Sequence, residues 1–399
     1  MNSKISLKII ISLALVVLLG PAAIDMYLAS MPEMAKELNT TYAVTQITLT
    51  VFLIFMGLGQ LLFGPISDAY GRKKPLLIGI MVYILASFWA ALAPTIESLI
   101  LARILQGLAA SMATVVIMSM VRDLVEDIAA TQLYALLNTV VALGPIVAPA
   151  VGGLVGASYG WRGVMFVLMA VGIIVFFNTV INIQESLPQQ KRNQLNFKSL
   201  GKIYWNIIKN KIFFFNLMAF SAVYFFLFTY IGGSSYVYQN EYGLSLEQFG
   251  LVFGLTSISL VLGASSSAYF IKKMTANKLA VIGALLMMIG SLICITTHFM
   301  QFGLVGIVIG IGFGLFGLGI LEAVLMSIAM NSQQTSLGAS AALLGAFPML
   351  LSSIATPIAG YLVEVNTLYW LAFLGGIGPI ILGFVVLGTQ NVKMTSNQS

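Results

Sequence analysis

The chain has 399 residues, of which 59% are hydrophobic and only 8% are charged, and its mean hydropathy is +0.99. Because a soluble globular domain carries roughly 25% charged residues, this chain cannot cover a water-facing surface and must be solvated largely by lipid. One bilayer crossing needs about 20 apolar residues, so the length allows about a dozen crossings with short connections. The net charge of +6 is not gathered into one basic stripe, so it does not indicate nucleic-acid binding.

The single cysteine and the single histidine exclude several kinds of site. Cys294 lies in an apolar run, cannot form an intrachain disulfide and is expected to be inert packing. With His298 as the only histidine, a histidine metal cluster or a hydrolytic triad is excluded. The GxG patterns of 309–319 lie inside an apolar run and indicate helix packing. We therefore expect no metal, no cofactor and no enzymatic activity.

Apolar runs bounded by charges or by Gly, Pro and Asn clusters predict twelve transmembrane helices. Lys4 and Lys8 before the first run resemble the start of a signal peptide. That run is long, lacks a convincing cleavage site and is followed by further spans, which favours a transmembrane helix. The runs do not alternate with period two, so strands are not expected. The predicted spans are 8–30, 44–66, 75–93, 97–121, 132–155, 162–183, 212–234, 249–271, 277–297, 302–325, 337–358 and 367–388.

Lysine and arginine are distributed unevenly over the predicted connections. With both termini in the cytoplasm, the positive-inside rule is obeyed by most of these residues. Only Lys36 and Arg162 fall outside, and Arg103 lies within the fourth span. The residues expected on the cytoplasmic side are Lys4, Lys8, Arg72, Lys73, Lys74, Arg122, Lys191, Arg192, Lys198, Lys202, Lys209, Lys211, Lys272, Lys273, Lys278 and Lys393.

The longest polar stretch, 184–211, divides the spans into two sets of six. It predicts a first bundle over 1–183, a cytoplasmic linker, and a second bundle over 212–399. The basic and aromatic second part of the linker is either a solvated connection or a surface that lies on anionic lipid.

Short internal matches indicate that the two halves are duplicated units. AYGRKK (69–74) is matched by AYFIKK (268–273), each after the second span of its half. PAVGGL (149–154) is matched by PIAGYL (357–362), each at the end of the fifth span. This agreement in position predicts pseudo-symmetric six-helix bundles, as in many secondary transporters.

The connection after the second span, GPISDAYGRKK (64–74), combines an acid, a glycine and three cations. Asp68 can pair with Arg72 or accept hydrogen bonds from a helix N-terminus, and Gly71 permits a tight turn with positive φ. With Lys73, this cluster can join the halves in one state and release them in another. The alternative is an ordinary positively charged turn.

The fourth span contains RILQG, with Arg103 and Gln106 almost one turn apart. An arginine at membrane depth costs at least ~3 kcal/mol near the bilayer centre. It persists if it faces a wet cavity or an acid, or if its side chain extends to the membrane surface. We expect the cavity.

The fifth span contains GPIVAPAVGGLVG (144–156). Pro145 and Pro149 remove two backbone donors and bend the helix. Gly152 and Gly156 form a face of small residues that lets another helix approach closely. The residues predicted to act in gating are Asp68, Gly71, Arg72, Lys73, Gly144, Pro145, Pro149, Gly152 and Gly153.

Asp25 is the one carboxylate in IDMYLASMP (24–32), toward the outer end of the first span, and Arg103 enters the fourth span from that same side. The two are expected at similar depth across one cavity. Desolvation favours the neutral acid, whereas a nearby guanidinium favours the carboxylate. This competition lets an acid bind a proton in one state and lose it in another, although a static Asp25–Arg103 pair or an interfacial acid fits the sequence too.

Together these motifs resemble the bicyclomycin and chloramphenicol resistance branch of the twelve-helix drug/proton antiporters of the major facilitator superfamily. The resemblance rests on DMYLASMP, GPISDAYGRKK, RILQG, GPIVAPAVGG and the Trp161–Arg162 pair, and is densest before residue 165. It implies that Asp25 binds protons and substrate and that Arg103 is the fourth-helix arginine of the family. The chain departs from the family at Ala29–Ser30 and at 234–236, where Ser-Ser-Tyr replaces a Ser-Pro pattern.

Glu322, in GILEAVLM of the tenth span, stands where the family position looks more like asparagine. It either binds a cation or a second proton or reaches cytoplasmic water. The predicted proton-coupling residues are therefore Asp25, Arg103 and Glu322. The predicted substrate-binding residues are Asp25, Tyr27, Arg103, Gln106, Tyr224, Phe228 and Tyr236, and Met112, Tyr230 and Tyr238 complete the expected cavity wall.

The expected function is proton-coupled export of small, partly hydrophobic compounds by alternating access, from a monomer in the bacterial cytoplasmic membrane. Its partners would be the substrate, protons and membrane lipid. Export of an endogenous metabolite such as a siderophore, or uptake of a nutrient, remains an alternative of the same class. A membrane enzyme or receptor, or a scaffold or channel, is the alternative of a different class.

Overall fold

The computed structural model describes residues 6–125, 127–192, 197–333 and 336–396. Lys4, from the predicted amino-terminal charge pair, lies outside this range, as do the side chains of Lys198 and Lys393. The regular secondary structure of the described residues is entirely helical, with no strand among them, so the all-α prediction is confirmed. Eleven of their helical segments are long and apolar enough to cross a membrane.

The first predicted span is broken into α1 (Leu7–Val17), α2 (Leu19–Asp25), a 3₁₀ turn (Leu28–Ser30) and α3 (Met31–Glu37). Pro32 stands in the first turn of α3, where a missing N–H costs nothing. This break places Asp25 at the very end of a short helix.

The next spans are long single helices: α4 (Tyr42–Tyr70), α5 (Lys73–Ala91) and α6 (Ile96–Leu124). Thr41 and Thr95 cap the first and the last of them by accepting a backbone N–H. All three begin or end within a few residues of the predicted boundaries.

One helix, α7 (Asp127–Asn182), contains both the fifth and the sixth predicted spans. Its 56 residues would extend about 80 Å, far beyond a hydrocarbon core of about 30 Å. Gly160 interrupts it with φ 64° and ψ −177°, so the chain reverses there. The eleven apolar segments therefore make twelve crossings among the described residues.

The predicted linker is not simply an extended connection. After a 3₁₀ turn at Gln189–Lys191 comes α8 (Phe197–Ile208). Ile207 of α8 is 3% exposed, and the Tyr204 hydroxyl donates to the Leu61 carbonyl of α4 at 3.0 Å. This second part of the linker therefore packs on the bundle rather than being wholly solvated.

The second half comprises α9 (Lys211–Tyr236) with a π turn (Val237–Glu241), then α10 (Leu246–Phe270), α11 (Ala276–Met300) and α12 (Gly303–Asn331), followed by α13 (Leu337–Ser352), α14 (Ala355–Val365) and α15 (Thr367–Ser396). Within this half, α12 packs on α9, α10 and α11. Between the halves, α7 packs on α10, and α4 packs on α13 and α14.

The connections between helices lie at two opposite ends of the molecule, which we name after Arg72 and Glu37. The Arg72 end holds the connections at 71–72, 183–192, 209–210, 271–275 and 332–333, and the Glu37 end those at 38–41, 92–95, 242–245 and 366. At the Glu37 end, the Trp161 indole donates to Glu37 at 2.6 Å, and Arg162 pairs with the same carboxylate. These contacts tie the end of the first span to the start of the sixth.

Candidate functional site

The two predicted charges of the first half are both buried at membrane depth. Asp25 at the end of α2 is 3% exposed, and Arg103 of α6 is completely buried. Complete burial excludes the interpretation that Arg103 extends to the membrane surface. The salt bridges among the described residues include neither side chain, so a static Asp25–Arg103 pair is not formed in this structure.

The Arg103 guanidinium lies between two aromatic rings, 4.4 Å from the ring centre of Tyr27 and 4.4 Å from that of Phe52. A desolvated cation–π contact contributes roughly 2 kcal/mol or more. Tyr27 is two residues after Asp25, so the stacking brings Arg103 to the break in the first span. Phe52 was not predicted from the sequence, since nothing in α4 marks it.

Nη1 of Arg103 donates a hydrogen bond to the side-chain oxygen of Gln106. The Gln106 amide donates to the Ser87 hydroxyl at 2.8 Å, and Ser87 donates to the Tyr83 carbonyl at 2.7 Å. Nε and Nη2 of Arg103 are buried without a partner. A buried N–H without an acceptor costs about 1–3 kcal/mol, and more when it belongs to a charged group, so this guanidinium can still donate to a further hydrogen-bond acceptor.

The second half holds its own carboxylate. Glu322 of α12 is half-buried, and the Tyr224 hydroxyl of α9 donates to its Oε1 at 2.6 Å. The rings of Tyr224 and Phe220 lie 5.0 Å apart. Glu322 is therefore held by a neighbouring helix, and the salt bridges recorded for the described residues do not include it.

The predicted cavity wall falls into separate groups. Tyr236 packs against Tyr42 with ring centres 5.1 Å apart, toward the Glu37 end. Phe228 is 3% exposed. The structure thus brings Tyr27, Gln106 and Arg103 together and places Tyr224 with Glu322, while Phe228 and Tyr236 join neither group.

The remaining residues of the predicted wall each pack within their own half. Tyr230 stacks on Phe253 with ring centres 5.2 Å apart, and Tyr238 lies 6.0 Å from Phe249. Met112 lies against Gly79 of α5. These contacts fill the α9–α10 and α5–α6 interfaces.

The turn after α4 forms the predicted charge cluster. Gly71 adopts φ 87°, which glycine accepts without strain. Arg72 donates to Asp68 at 2.6 Å, to Ser67 at 2.7 Å and to Asp123 at 2.8 Å. Burial would lower the pKa of Arg72, but its bonds to Asp123 and Asp68 outweigh burial and raise it, so this residue remains cationic.

Glu185 completes the same cluster. Its carboxylate accepts the backbone N–H of Arg72 at 2.8 Å and that of Lys73 at 3.3 Å, which satisfies the start of α5. The Lys73 ammonium donates to the Val180 carbonyl at 3.1 Å. These partners all precede the second half, so in this structure the cluster joins segments of the first half. Asp123 and Glu185 were missed, although both stand at the end of a predicted span.

The glycines of the fifth-span motif lie at two different helix interfaces. A Cβ on Gly144 would lie 2.7 Å from Pro21, and one on Gly152 would overlap the Met26 carbonyl. This face of α7 holds the broken first span against it, so it supports the backbone that carries Asp25.

The adjacent face of α7 meets the other half. A Cβ on Gly153 would lie 2.5 Å from the Leu246 carbonyl, and Gly250 of α10 sits directly against the Pro149 carbonyl. Pro145 and Pro149 lie inside α7, on the stretch where these contacts occur. The motif therefore packs the first span and α10 at the same level of the molecule.

Direct hydrogen bonds join the halves near the Glu37 end. The Glu364 carboxylate accepts the backbone N–H groups of Tyr42 at 2.8 Å and Ala43 at 3.3 Å. The Ser235 hydroxyl donates to the Leu28 carbonyl at 2.7 Å, and the Gln239 amide donates to the Ala29 carbonyl at 2.7 Å. Ser235 and Ala29, two of the positions that depart from the family pattern, thus each take part in this contact between the halves.

Sequence comparison finds relatives that span nearly the whole chain. The chain is 33% identical over 364 residues to the uncharacterized MFS-type transporter YdgK of Bacillus subtilis, covering 90% of each chain. It is 25% identical to a bicyclomycin resistance protein homolog of Haemophilus influenzae, covering 98% and 99%. It is 24% identical to the multidrug resistance protein MdtL of Shewanella sp., covering 96% of both.

Solved structures share the fold at low identity. A D-xylose-proton symporter matches with a TM-score of 0.77 and 16% identity, covering 95% of this chain and 96% of that one. The nucleoside transporter NupG, as a D323A mutant, matches with a TM-score of 0.74 and 16% identity, covering 98% and 100%. The family model described as Major Facilitator Superfamily matches residues 13–337. The chain therefore belongs to the major facilitator superfamily and is a multi-pass membrane protein.

Proposed function

We propose that this protein exports small, partly hydrophobic compounds from the cytoplasm in exchange for protons, in the manner of a bacterial drug-efflux transporter. The observation that carries the proposal is the burial of Asp25 and Arg103 at membrane depth without an ion pair between them. Relatives named for multidrug and bicyclomycin resistance support the substrate class. The positive-inside rule favours the Arg72 end as the cytoplasmic side.

The proposed mechanism is alternating access, in which the two halves rock about a site near the membrane midplane. A protonated Asp25 leaves the unpaired N–H groups of Arg103 free for an acceptor on the substrate, such as a carbonyl oxygen. Loss of that proton creates a carboxylate that competes for the same guanidinium. Substrate and proton thereby exclude one another, which is the requirement for exchange.

The membrane supplies sufficient driving force. A potential of 100 mV contributes ~2.3 kcal/mol for each charge moved, which exceeds the ~1.4 kcal/mol of a tenfold gradient. Movement of one coupled charge per cycle is therefore enough to sustain a substrate gradient of more than tenfold.

The test compares wild type and Asp25→Asn in a drug-susceptibility panel, together with proton release from the purified protein when each compound is added. We expect the variant to lose resistance to at least one neutral compound and to release no proton, while its expression stays normal. Glu33→Gln, which neutralises an exposed acid of the same span, serves as the matched control. Full resistance in Asp25→Asn would remove Asp25 from coupling.

Flux into proteoliposomes separates the remaining classes of function. A channel would pass the compound without any dependence on the proton gradient, and an enzyme would return an altered molecule. Uptake driven by an inward proton gradient would instead show that the protein is an importer of the same superfamily.

A further inference from the structure

Helix α8 lies at the Arg72 end and is attached to both halves of the molecule. The Tyr204 hydroxyl donates to the Leu61 carbonyl of α4 in the first half, and α8 packs on α9 and α13 in the second half. Just after α8, the Asn210 side chain donates to the Ser332 carbonyl at 3.0 Å and caps the start of α9. These contacts fix which side of α8 faces the bundle and which side faces outward.

The contact with α4 gives the depth of α8 relative to the membrane. Leu61 stands nine residues before Tyr70, the last residue of α4, which is about 14 Å along the helix axis. Leu58 and Leu62 lie within about 100° of Leu61 around that axis, and both are exposed apolar side chains of a membrane-spanning helix. The Tyr204 hydroxyl therefore reaches beside a lipid-facing surface, which places α8 at the level of the headgroups.

The outward side of α8 combines two cations with a tryptophan, and we call Lys202, Trp205 and Lys209 the α8 surface. All three side chains are exposed and lie within about 60° of one another around the helix axis. The Lys209 ammonium lies 5.7 Å from the ring centre of Trp205. Buried Ile207 lies about 160° around the helix from Trp205, so the α8 surface points away from the bundle.

The positive charge of the α8 surface is not compensated within the described residues. The segment 197–211 contains four lysines and no aspartate or glutamate. The ion pairs among the described residues include neither Lys202 nor Lys209. An anionic partner outside the chain would complement this surface.

Trp205 distinguishes lipid from water as the surroundings of these lysines. It is 61% exposed, whereas Trp161 and Trp370 are completely buried. The fourth tryptophan, Trp89, is also exposed and lies near the last residue of α5, at the Glu37 end. Exposed tryptophans of membrane proteins are enriched at the two headgroup layers, and Trp89 and Trp205 occupy one end each. An indole between lysines on an apolar-backed helix is typical of a helix that lies on an anionic membrane surface.

We propose that the α8 surface binds the headgroups of anionic phospholipids in the leaflet at the Arg72 end. Lys202 and Lys209 contact the negative charge, and the Trp205 indole lies among the headgroups. Each lysine at a membrane surface strengthens the attraction to anionic lipid by about fivefold. This inference is independent of proton coupling at Asp25 and of the substrate that is carried.

Fluorescence quenching by brominated lipid tests the inference on the purified full chain in phosphatidylcholine nanodiscs. One set contains phosphatidylglycerol brominated close to the headgroup, and the other contains the same fraction of phosphatidylcholine brominated at the same positions. The signal of Trp205 is the difference between wild type and Trp205→Phe. We expect Trp205 to select phosphatidylglycerol over phosphatidylcholine by roughly 25-fold, since two lysines contribute, and added salt should weaken this preference.

The decisive variant is the double substitution Lys202→Gln/Lys209→Gln, in which the preference should fall to nearly one while Trp205 is still quenched. The matched control is Lys272→Gln/Lys278→Gln, which removes two exposed cations from the same end of the molecule. The control should keep the wild-type preference. Both variants change exposed side chains, so both should elute as wild type does in gel filtration.

Three outcomes would overturn the inference. Equal quenching by the two lipids in wild type would show that the α8 surface does not select charge. An equal loss of preference in the control variant would assign the effect to the total charge of that end. Absence of Trp205 quenching by either lipid would show that the α8 surface faces water, where soluble anions or acidic proteins would be its partners instead.

Discussion

The two halves carry polar sites that are opposite in charge and in completeness. In the first half, a cation is fully buried between Tyr27 and Phe52 with two nitrogen atoms unpaired. In the second half, an acid is only half-buried and is held by one phenol. Duplicated architecture therefore does not imply duplicated chemistry.

Removing the cation of the first site should have the largest effect on this comparison. In Arg103→Ala, export driven by a pH gradient should fall by on the order of 100-fold, because about 3 kcal/mol of interaction with substrate or Asp25 is lost. Efflux from proteoliposomes measures the rate.

Arg103→Lys sharpens the same test. Lysine keeps the charge but not the planar group that lies between the two rings. If Arg103→Lys exports as wild type does, charge alone matters and the stacking has no role.

Disturbing the packing of α7 against the first span should have the next largest effect. Gly152→Ala places a methyl group against the Met26 carbonyl, and overpacking of this kind costs typically about 1–3 kcal/mol. We expect a lower midpoint of thermal unfolding in detergent. Gly376→Ala, where a Cβ meets nothing within 4 Å, is the matched control. Equal midpoints would show that the first span can shift away from α7.

Removing one ring from the first site should have a smaller effect. In Phe52→Leu, roughly 1–2 kcal/mol of cation–π interaction with Arg103 is lost while the apolar volume is largely kept. Export should slow by several-fold, and Asp25-dependent proton release should persist. Loss of proton release in Phe52→Leu would show that the ring fixes the coupling geometry as well as the guanidinium.

The smallest effect is expected at the contact between the halves. Glu364→Gln keeps an acceptor for the Tyr42 and Ala43 amides but removes its charge, which is worth about 0.3–1 kcal/mol at a helix N-terminus. Hydrogen exchange of those two amides should accelerate by about two- to fivefold on that estimate. If exchange stays as slow as in wild type, the carboxylate charge does not hold the halves together there.

The sequence predicts much of the fold because a run of about 20 apolar residues marks a helix that crosses the bilayer. The positions of the twelve spans are confirmed, but α4 and α12 extend beyond their predicted ends, since polar residues there continue the helix past the apolar run. The reversal at Gly160 lies beside Trp161–Arg162, where the sequence separates the predicted fifth and sixth spans. The helical content of 197–208 was not predicted, because its polar composition resembles a connection.

The candidate site was less predictable. Asp25, Arg103 and Glu322 attract notice because charge is rare in apolar spans, so composition alone marks them. Their partners are set by helix packing instead: Phe52 looks like any other apolar residue of α4, and the Tyr224–Glu322 bond joins residues 98 apart in sequence. Which acid meets which cation depends on rotations about helix axes that hydropathy does not encode.

The contact of Ser235 and Gln239 with the first span has a consequence for evolution. Both side chains donate to main-chain carbonyl oxygen atoms, those of Leu28 and Ala29, and every amino acid has such an atom. Substitutions at 28 or 29 can thus change the side chains at this contact without removing its hydrogen-bond acceptors. A lineage can therefore vary the side chains of this stretch while the two hydrogen bonds between the halves persist.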